Sequence, residues 1–307
     1  MAPVLLLIFN RPLHTRRIFE QIKMAKPRQL FVAADGPRAN VAEDKENCRL
    51  AREVIEDVDW DCDLKTLFRD KNLTSRHAVS QAITWFFEAV PEGIILEDDT
   101  LPHTSFFPFC SQLLEKYRDV PQVRHINGTN FLLGKNFTGK ESYYFSNFCH
   151  PWGWATWRRA WNDFDVSIPG YNQDLLRARL NEITDQADVI DMWVKNLNDA
   201  VSQRVDCWDF QWFYTMWMKR GVAITPSVNL VTNIGFGSNA TNTKYTHTRI
   251  GNMKRSGLET LHHPAEVKVN KRADEYAMSV RIKEGYGNFF QRARAKINLI
   301  LESGKKR

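Results

Sequence analysis

Several features that would place the chain in a special class of proteins are missing from its 307 residues. Its five cysteines are odd in number and widely spaced, and no two of them form a Cys-x-x-Cys pair. This pattern argues against a disulfide framework and against a zinc site, and it favours a reducing compartment. The apolar run at residues 4–9 is too short to cross a bilayer and does not resemble a signal peptide. We therefore expect a cytoplasmic protein.

A basic nucleic-acid recognition element is also missing, because no segment rich in Arg and Lys appears before the last few residues. Nucleic acid is therefore not an expected partner. The net charge of +6 suits instead a phosphate-rich ligand or an anionic surface. The aromatic residues cluster between positions 152 and 217, where flat rings could stack on sugars or form the core.

Strand and helix patterns alternate along the first hundred residues. Short apolar runs predict strands at 4–9, 29–34 and 64–68, and a fourth run at 93–96 leads into three carboxylates. The segments between them predict helices from Pro12 onwards, over 41–58 and over 75–88. Repeated units of this spacing predict an α/β protein, with a mostly parallel sheet and helices on both faces.

The pattern is less regular after residue 99. A helix is predicted near 105–117, a strand at 123–127 and a loop or hairpin up to 140. The aromatic block and helical segments follow up to about 219, with Trp157 and Trp161 at a helical spacing that favours core packing. A pair of strands is predicted within 222–234, a mobile loop from Gly235, and a helical segment over 273–300.

The acidic triplet Glu97-Asp98-Asp99 at the end of the fourth strand is the strongest functional signal. In open α/β sheets, ligands bind at the carboxyl edge of the strands. Adjacent carboxylates repel each other and are costly to desolvate, so they need a compensating cation. Mg²⁺ or Mn²⁺, held by carboxylates together with substrate phosphates, is the usual partner. The alternative is a solvated acidic turn after a strand.

Five short motifs occur in the order seen in nucleotide-sugar glycosyltransferases of the GT-A fold. The resemblance is closest to the N-acetylglucosaminyltransferase I type and extends to bacterial glycosyltransferases of polysaccharide loci. It implies a Rossmann-like GT-A catalytic domain at 1–243, with a nucleotide-binding half (1–100) and an acceptor-binding half (101–243). A C-terminal helical extension would follow at 244–307. The motifs are Asn10-Arg11, Ala34-Asp35-Gly36, Glu97-Asp98-Asp99, Gly153-Trp154 and Trp208-Asp209.

The resemblance also implies a role for each matching residue. Asp99 would bind Mn²⁺ or Mg²⁺ directly, and Asp209 would act as the general base, with Asp206 as its nearest competitor. The nucleotide-sugar would be contacted by Asn10, Arg11, Asp35, Arg76, His77, Glu97, Asp98, Gly153 and Trp154, with Asp35 on the uracil and Asp98 on the ribose. Trp152 or Trp154 would stack on a sugar.

Several of these residues could instead have an ordinary structural role. Asp209 could cap a helix, Asp35 could be a turn residue before Gly-Pro, and His77 could be an ordinary surface residue. One departure concerns the loop after Gly235, where relatives commonly carry a histidine. This chain has Asn242 there, and His247 is the possible substitute.

The predicted function is metal-dependent transfer of a sugar from a UDP-sugar to a glycan or lipid-linked acceptor, with inversion. One alternative is a sugar-1-phosphate nucleotidyltransferase, although the place of its glycine-rich loop is held here by Asn10-Arg11-Pro12-Leu13. Another is a sugar-nucleotide-binding protein without turnover.

The C-terminal segment raises the possibility of peripheral membrane contact. From Arg281 onwards basic residues alternate with apolar ones, which could hold a helix at the anionic inner face of the cytoplasmic membrane. The alternative is a helix packed on the catalytic domain with its charges in water.

Overall fold

A parallel half-sheet is built by the first hundred residues. The computed structural model describes residues 1–236, 249–251 and 253–285. Its first half contains β1 (Val4–Ile8), α1 (Pro12–Ala25), β2 (Gln29–Ala34), α2 (Asp44–Glu53) with a 3₁₀ turn (Val54–Asp57), β3 (Asp63–Phe68), α3 (Thr74–Ala89) and β4 (Glu92–Glu97). These bounds confirm the predicted alternation of strands and helices in this half.

The second half adds shorter strands and a group of helices. Its elements are β5 (Thr100–Pro102), α4 (Phe106–Lys116), β6 (Val123–Asn127), β7 (Tyr143–Ser146), β8 (Trp154–Trp157), α5 (Arg158–Trp161), α6 (Gln173–Ile183), α7 (Ala187–Val201), α8 (Asp209–Met218), β9 (Val222–Pro226), β10 (Val231–Asn233) and α9 (Lys271–Gly285).

Eight of the strands form one mixed, mostly parallel sheet, in the order β3-β2-β1-β4-β8-β6-β9-β7. Strands β1 to β4 are mutually parallel, whereas β8 runs antiparallel to both of its neighbours, β4 and β6. Strands β5 and β10 form a separate antiparallel pair. The Rossmann-like α/β arrangement predicted from the sequence is therefore confirmed. The division into domains stays a prediction.

Two cores cover the two faces of the sheet. In β4, Ile94 and Leu96 pack on the side that also holds α1, α2 and α4, whereas Ile95 packs against α3 and α6 to α8. Alternate side chains of a strand point to opposite faces, so a strand buried on both sides reads as a continuous apolar run.

Three expectations about the second half need correction. Trp157 and Trp161 are both buried, as predicted, but Trp157 ends the strand β8, which pairs with β4 and β6, rather than lying on a helix. The two strands predicted within 222–234 exist but do not pair with each other, since β9 joins the main sheet and β10 joins β5. Strand β7 was not predicted, and it pairs with β9.

The start of the C-terminal extension is packed against the sheet. Asp274 in the first turn of α9 is buried, and its carboxylate accepts hydrogen bonds from the Ser146 hydroxyl (2.5 Å) and the Asn147 amide (2.8 Å). Asn242, His247 and the basic residues after 285 lie outside the described residues. Within the described part of the chain, no helix is both long and apolar enough to span a bilayer.

Candidate functional site

The carboxyl ends of β1, β2 and β4 open onto one cavity of about 500 Å³. Leu7 of β1 is paired with Glu97 of β4, so the residues that follow each strand emerge side by side. The charged residues that line the cavity are Arg11, Asp35, Arg38, Arg69, Glu97, Asp98, Asp99, Asp206 and Asp209. This is the sheet edge at which the sequence predicts a ligand site.

Arg11 is the cation that the acidic triplet faces. Its Nη1 lies 2.9 Å from Asp99 Oδ2 and 3.5 Å from Asp98 Oδ1. The other oxygen of Asp98 accepts a hydrogen bond from the Phe9 amide at 3.2 Å. The loop between β1 and α1 therefore neutralises part of the negative charge that β4 delivers to the same edge.

Burial still makes ionisation of the triplet costly. Burial and the charges of Asp99, Asp98 and Asp209 raise the pKa of Glu97 well above its ordinary value, against the opposing effect of Arg11. Burial likewise raises the pKa of Asp98 to about 7, with Arg11 again opposing the shift. A bound cation would favour the ionised forms, so the site is poised to gain from cation binding.

The backbone of Gly235 lies directly against Asp99. A Cβ atom at position 235 would come within 2.2 Å of Asp99 Oδ2. The Asp99 carbonyl accepts a hydrogen bond from the Ile234 amide at 2.8 Å, continuing the pairing of β5 with β10. The close approach therefore depends on glycine, and it limits the positions that the Asp99 carboxylate can take.

Asp209 begins helix α8 and lines the same cavity as the triplet. Burial raises its pKa, while Arg281, backbone amides at the helix start and the Cys207 thiol act in the opposite direction. A carboxylate with a raised pKa is a better proton acceptor than an exposed one. Trp208 holds the N-cap position of α8, so Asp209 is not the N-cap residue. Asp209 lies at the first helical position, where the helix dipole favours a carboxylate.

Asp206 has a structural task that weakens its case as a base. Although it lines the cavity, its carboxylate accepts hydrogen bonds from Thr74 Oγ1 (2.9 Å), the Ser75 amide (2.9 Å) and the Arg76 amide (3.1 Å). It thus caps the N-terminus of α3 from a distant part of the chain.

Asp35 lines the cavity, but its carboxylate already accepts several hydrogen bonds from the protein itself. Its oxygens accept hydrogen bonds from the Gly36 and Leu73 amides and from Asn72 Nδ2, at 2.9–3.1 Å. Burial nevertheless raises its pKa. The carboxylate therefore connects the backbone at Gly36 to the segment before α3, which gives Asp35 a structural role besides the predicted contact with uracil.

Three other predicted contact residues are not directed at the cavity. Asn10 donates to Asp44 Oδ1 at 2.6 Å. The Arg76 guanidinium donates to the carbonyls of Ala200 (2.9 Å) and Val166 (2.7 Å), which fixes α3 to the helical layer. His77 is exposed on α3 and is not part of the cavity wall.

The Gly153-Trp154 motif supports the wall rather than forming it. Gly153 has φ of +66°, and a Cβ there would approach Val231 Cγ2 to 2.9 Å. Trp154 is fully buried and stacks on His125, with ring centroids 4.8 Å apart. Its half-buried neighbour Trp152 lines the cavity, as do the rings of Phe9 and Trp208.

Two basic residues of the cavity were missed in the sequence. Arg69 follows β3 and Arg38 follows β2, so the rule that pointed to the triplet would also have found them. Burial lowers the pKa of Arg69. Arg38 forms an ion pair with the buried Asp44 and holds the pKa of that carboxyl at about 2.

The carboxylates of the cavity suit a magnesium or manganese ion whose remaining ligands come from a bound phosphate compound. Among the described residues, no group of three or more His, Cys, Asp or Glu side chains is arranged to hold a metal by itself. Mg²⁺ is usually bound by one or two carboxylates together with substrate phosphates. Asp98 and Asp99 both face Arg11, and Asp99 is the more exposed of the two, so it fits that requirement.

No family model matches the chain, and no curated protein matches it in sequence. Among solved structures, HddC from Yersinia pseudotuberculosis is similar at 9% identity and a TM-score of 0.34, over 56% of this chain and 87% of that one. HddC complexed with GMP-PN gives 11% identity and a TM-score of 0.33, over 56% of this chain and 80% of that one. An apo UDP-glucose pyrophosphorylase is similar at 10% identity and a TM-score of 0.39, over 76% of this chain and 93% of that one. At these TM-scores the likeness is partial and does not assign an activity to this chain.

Proposed function

We propose that the chain is a metal-dependent glycosyltransferase of the GT-A type. It would move a sugar from a UDP-sugar to a hydroxyl group of a saccharide or lipid-linked acceptor, with inversion at the anomeric carbon. The observation that carries the proposal is the convergence of the acidic triplet, Arg11 and Asp209 on one cavity at the carboxyl edge of the sheet.

The donor end of this site is formed by β1 and β4. Asp98 and Glu97 would face the ribose, and Arg11 would exchange part of its contact with Asp99 for the diphosphate, which a guanidinium binds through two parallel hydrogen bonds. A Mn²⁺ or Mg²⁺ ion held by Asp99 and the diphosphate would neutralise charge on the leaving group.

The acceptor end is formed by Asp209 and Trp152. The acceptor oxygen would bond to the anomeric carbon as the bond from that carbon to the diphosphate oxygen breaks, and the hydroxyl proton would pass to Asp209. The raised pKa of Asp209 suits this task, and activity should fall as the pH drops through it. The Trp152 ring is placed to stack on a sugar.

The nucleotidyltransferase alternative has less support from this geometry. Residues 9–11 connect β1 to α1 directly, and this short link holds Arg11 rather than a glycine-rich loop around phosphates. The alternative is separated by its products, because it would consume a nucleoside triphosphate and a sugar 1-phosphate and release pyrophosphate.

The test begins with UDP-, GDP- and CMP-sugars, each with Mn²⁺ or a chelator. We expect metal-dependent thermal stabilisation and UDP release with a UDP-sugar alone. Asp99→Asn should abolish the metal-dependent part, whereas Asp119→Asn, an exposed residue outside the cavity, should not. Equal UDP-sugar affinity with and without chelator would contradict the metal role, and pyrophosphate release from UTP and a sugar 1-phosphate would establish the alternative.

The base is tested separately. Asp209→Asn keeps the side-chain shape but cannot take a proton, so kcat should fall by roughly 10²–10⁴-fold while donor affinity is unchanged. Asp206→Asn should retain most activity. Normal turnover by Asp209→Asn would remove the main support for an inverting mechanism, and turnover lost only in Asp206→Asn would transfer the role to that residue.

A further inference from the structure

Helix α9 packs an arginine, Arg281, against aromatic residues of α7 and α8. The Arg281 guanidinium lies over the rings of Phe131, Trp193 and Phe213, with centroid distances of 5.3, 5.6 and 5.9 Å. An arginine enclosed by three aromatic faces is held by cation–π attraction and is partly removed from water. The sequence had suggested instead that Arg281 begins a membrane-binding surface.

Two of its neighbours connect Arg281 to the cavity. Phe213 lies one helical turn after Asp209 on α8, so both side chains share one face of that helix. Arg281 Nη1 also lies 3.1 Å from Nδ1 of the buried His150, two residues before Trp152 in the cavity wall. Burial and Arg281 lower the pKa of His150, so its neutral ring can accept this hydrogen bond.

The charge of Arg281 acts on Asp209 as well. It opposes the effect of burial on the pKa of Asp209. Asp209 in turn acts on three other titratable groups, Glu97 on β4 and the buried thiols of Cys149 and Cys207. Burial raises the pKa of each of them, and the charge of Asp209 adds to that effect. None of these three groups carries a positive charge, so the side-chain cation that favours the ionised form of Asp209 is Arg281.

We propose that Arg281 is a positioning residue for Asp209, which joins the start of α8 to the cavity wall at His150 and presents positive charge to the base. The proposal rests on the proposed function, because it assigns Arg281 to the site of glycosyl transfer. It makes α9 part of the catalytic unit, anchored by Asp274 on β7.

The test compares Arg281→Met and Arg281→Lys with Arg272→Met, which changes an exposed arginine of the same helix. The first readout is the titration of the Asp209 carboxyl by ¹³C NMR of Asp-labelled protein, assigned by its absence in Asp209→Asn. We expect Arg281→Met to move this titration to higher pH, and Arg281→Lys and Arg272→Met to leave it near that of the unchanged chain.

The second readout is UDP release from the UDP-sugar that the unchanged chain accepts. Arg281→Met should lower kcat by about tenfold at neutral pH and move the acid limb of the pH profile upward, with UDP–Mn²⁺ affinity unchanged. This loss is smaller than the roughly 10²–10⁴-fold expected from losing the base itself. Arg281→Lys should restore most of kcat.

An unchanged Asp209 titration in folded Arg281→Met would overturn the proposal, as would equal losses of kcat in the Lys and Met variants. If Arg281→Met does not fold, Arg281→Gln takes its place, because glutamine removes the positive charge but keeps a hydrogen-bond donor for His150, and the same shift of the Asp209 titration to higher pH is expected. If no UDP-sugar is turned over, the proposed function fails, and the Asp209 titration still decides whether Arg281 acts on this carboxylate.

Discussion

Alanine at position 235 would place a methyl group against the carboxylate that the proposed metal requires. The added Cβ would lie 2.2 Å from Asp99 Oδ2 and 2.9 Å from Asp99 Cγ, whereas ordinary contact begins near 3.4 Å. The carboxylate must therefore move by about 1.2 Å. We expect this displacement to lengthen the 2.9 Å contact between Arg11 Nη1 and Asp99 Oδ2 beyond hydrogen-bond distance.

The cost follows from the contact that is lost. A hydrogen bond to a charged group contributes about 1.5–3 kcal/mol, but the Arg11 and Asp99 side chains are 20% and 21% exposed, so a value near 1 kcal/mol is appropriate. We expect Gly235→Ala to lower the free energy of unfolding by about 1 kcal/mol and metal-dependent UDP affinity by about tenfold. Denaturant unfolding and calorimetry would measure the two effects.

The control is a double-mutant cycle with Asp99→Ala. Without the Asp99 carboxylate the new methyl group has room, so Gly235→Ala should cost little in that background. If the stability loss is as large with Asp99 absent, or if Gly235→Ala leaves both stability and UDP affinity unchanged, the steric reasoning is wrong.

Three further outcomes are expected. Asp206→Ala should lower the free energy of unfolding by about 1 kcal/mol through loss of the α3 cap, and no loss in denaturant unfolding would contradict the capping role. Asp35→Ala should weaken UDP binding by roughly 1–3 kcal/mol, and a chain that binds GDP as tightly as UDP, before and after the change, would rule out base recognition by this residue. Asp274 has a pKa of about 7 through burial, against an ordinary value of 3.8, so the folded state binds an extra proton between these values. Stability should therefore fall as the pH rises from about 4 to about 7, and Asp274→Asn should flatten that dependence in unfolding measured across this range.

The nucleotide-binding half of the fold could be derived from the sequence because its signals are local. Strands β1, β2 and β4 are buried on both faces and therefore appear as short apolar runs, and the prediction matches β2 residue for residue. The acidic triplet follows one such run, so its place at the carboxyl edge follows from strand direction alone.

The second half resisted prediction because its strands depend on distant partners. Trp154–Trp157 is a strand only because β4 and β6 lie on either side of it, and a periodicity shared with the following Trp161 suggested a helix. Strand β10 pairs with β5 across more than a hundred residues, a contact without any local signal.

The sequence by itself determined which edge of the sheet holds the carboxylates and which residue types are available there. The tertiary structure alone decided which groups each of these residues contacts. Arg76 and Asp206 carry the right chemistry, but their hydrogen bonds serve the helical layer and the α3 cap. Arg281, more than seventy residues after Asp209, lies close enough to act on it because α9 is anchored on β7. The direction of a side chain depends on packing between elements that are distant in the sequence. A local sequence pattern therefore cannot predict it.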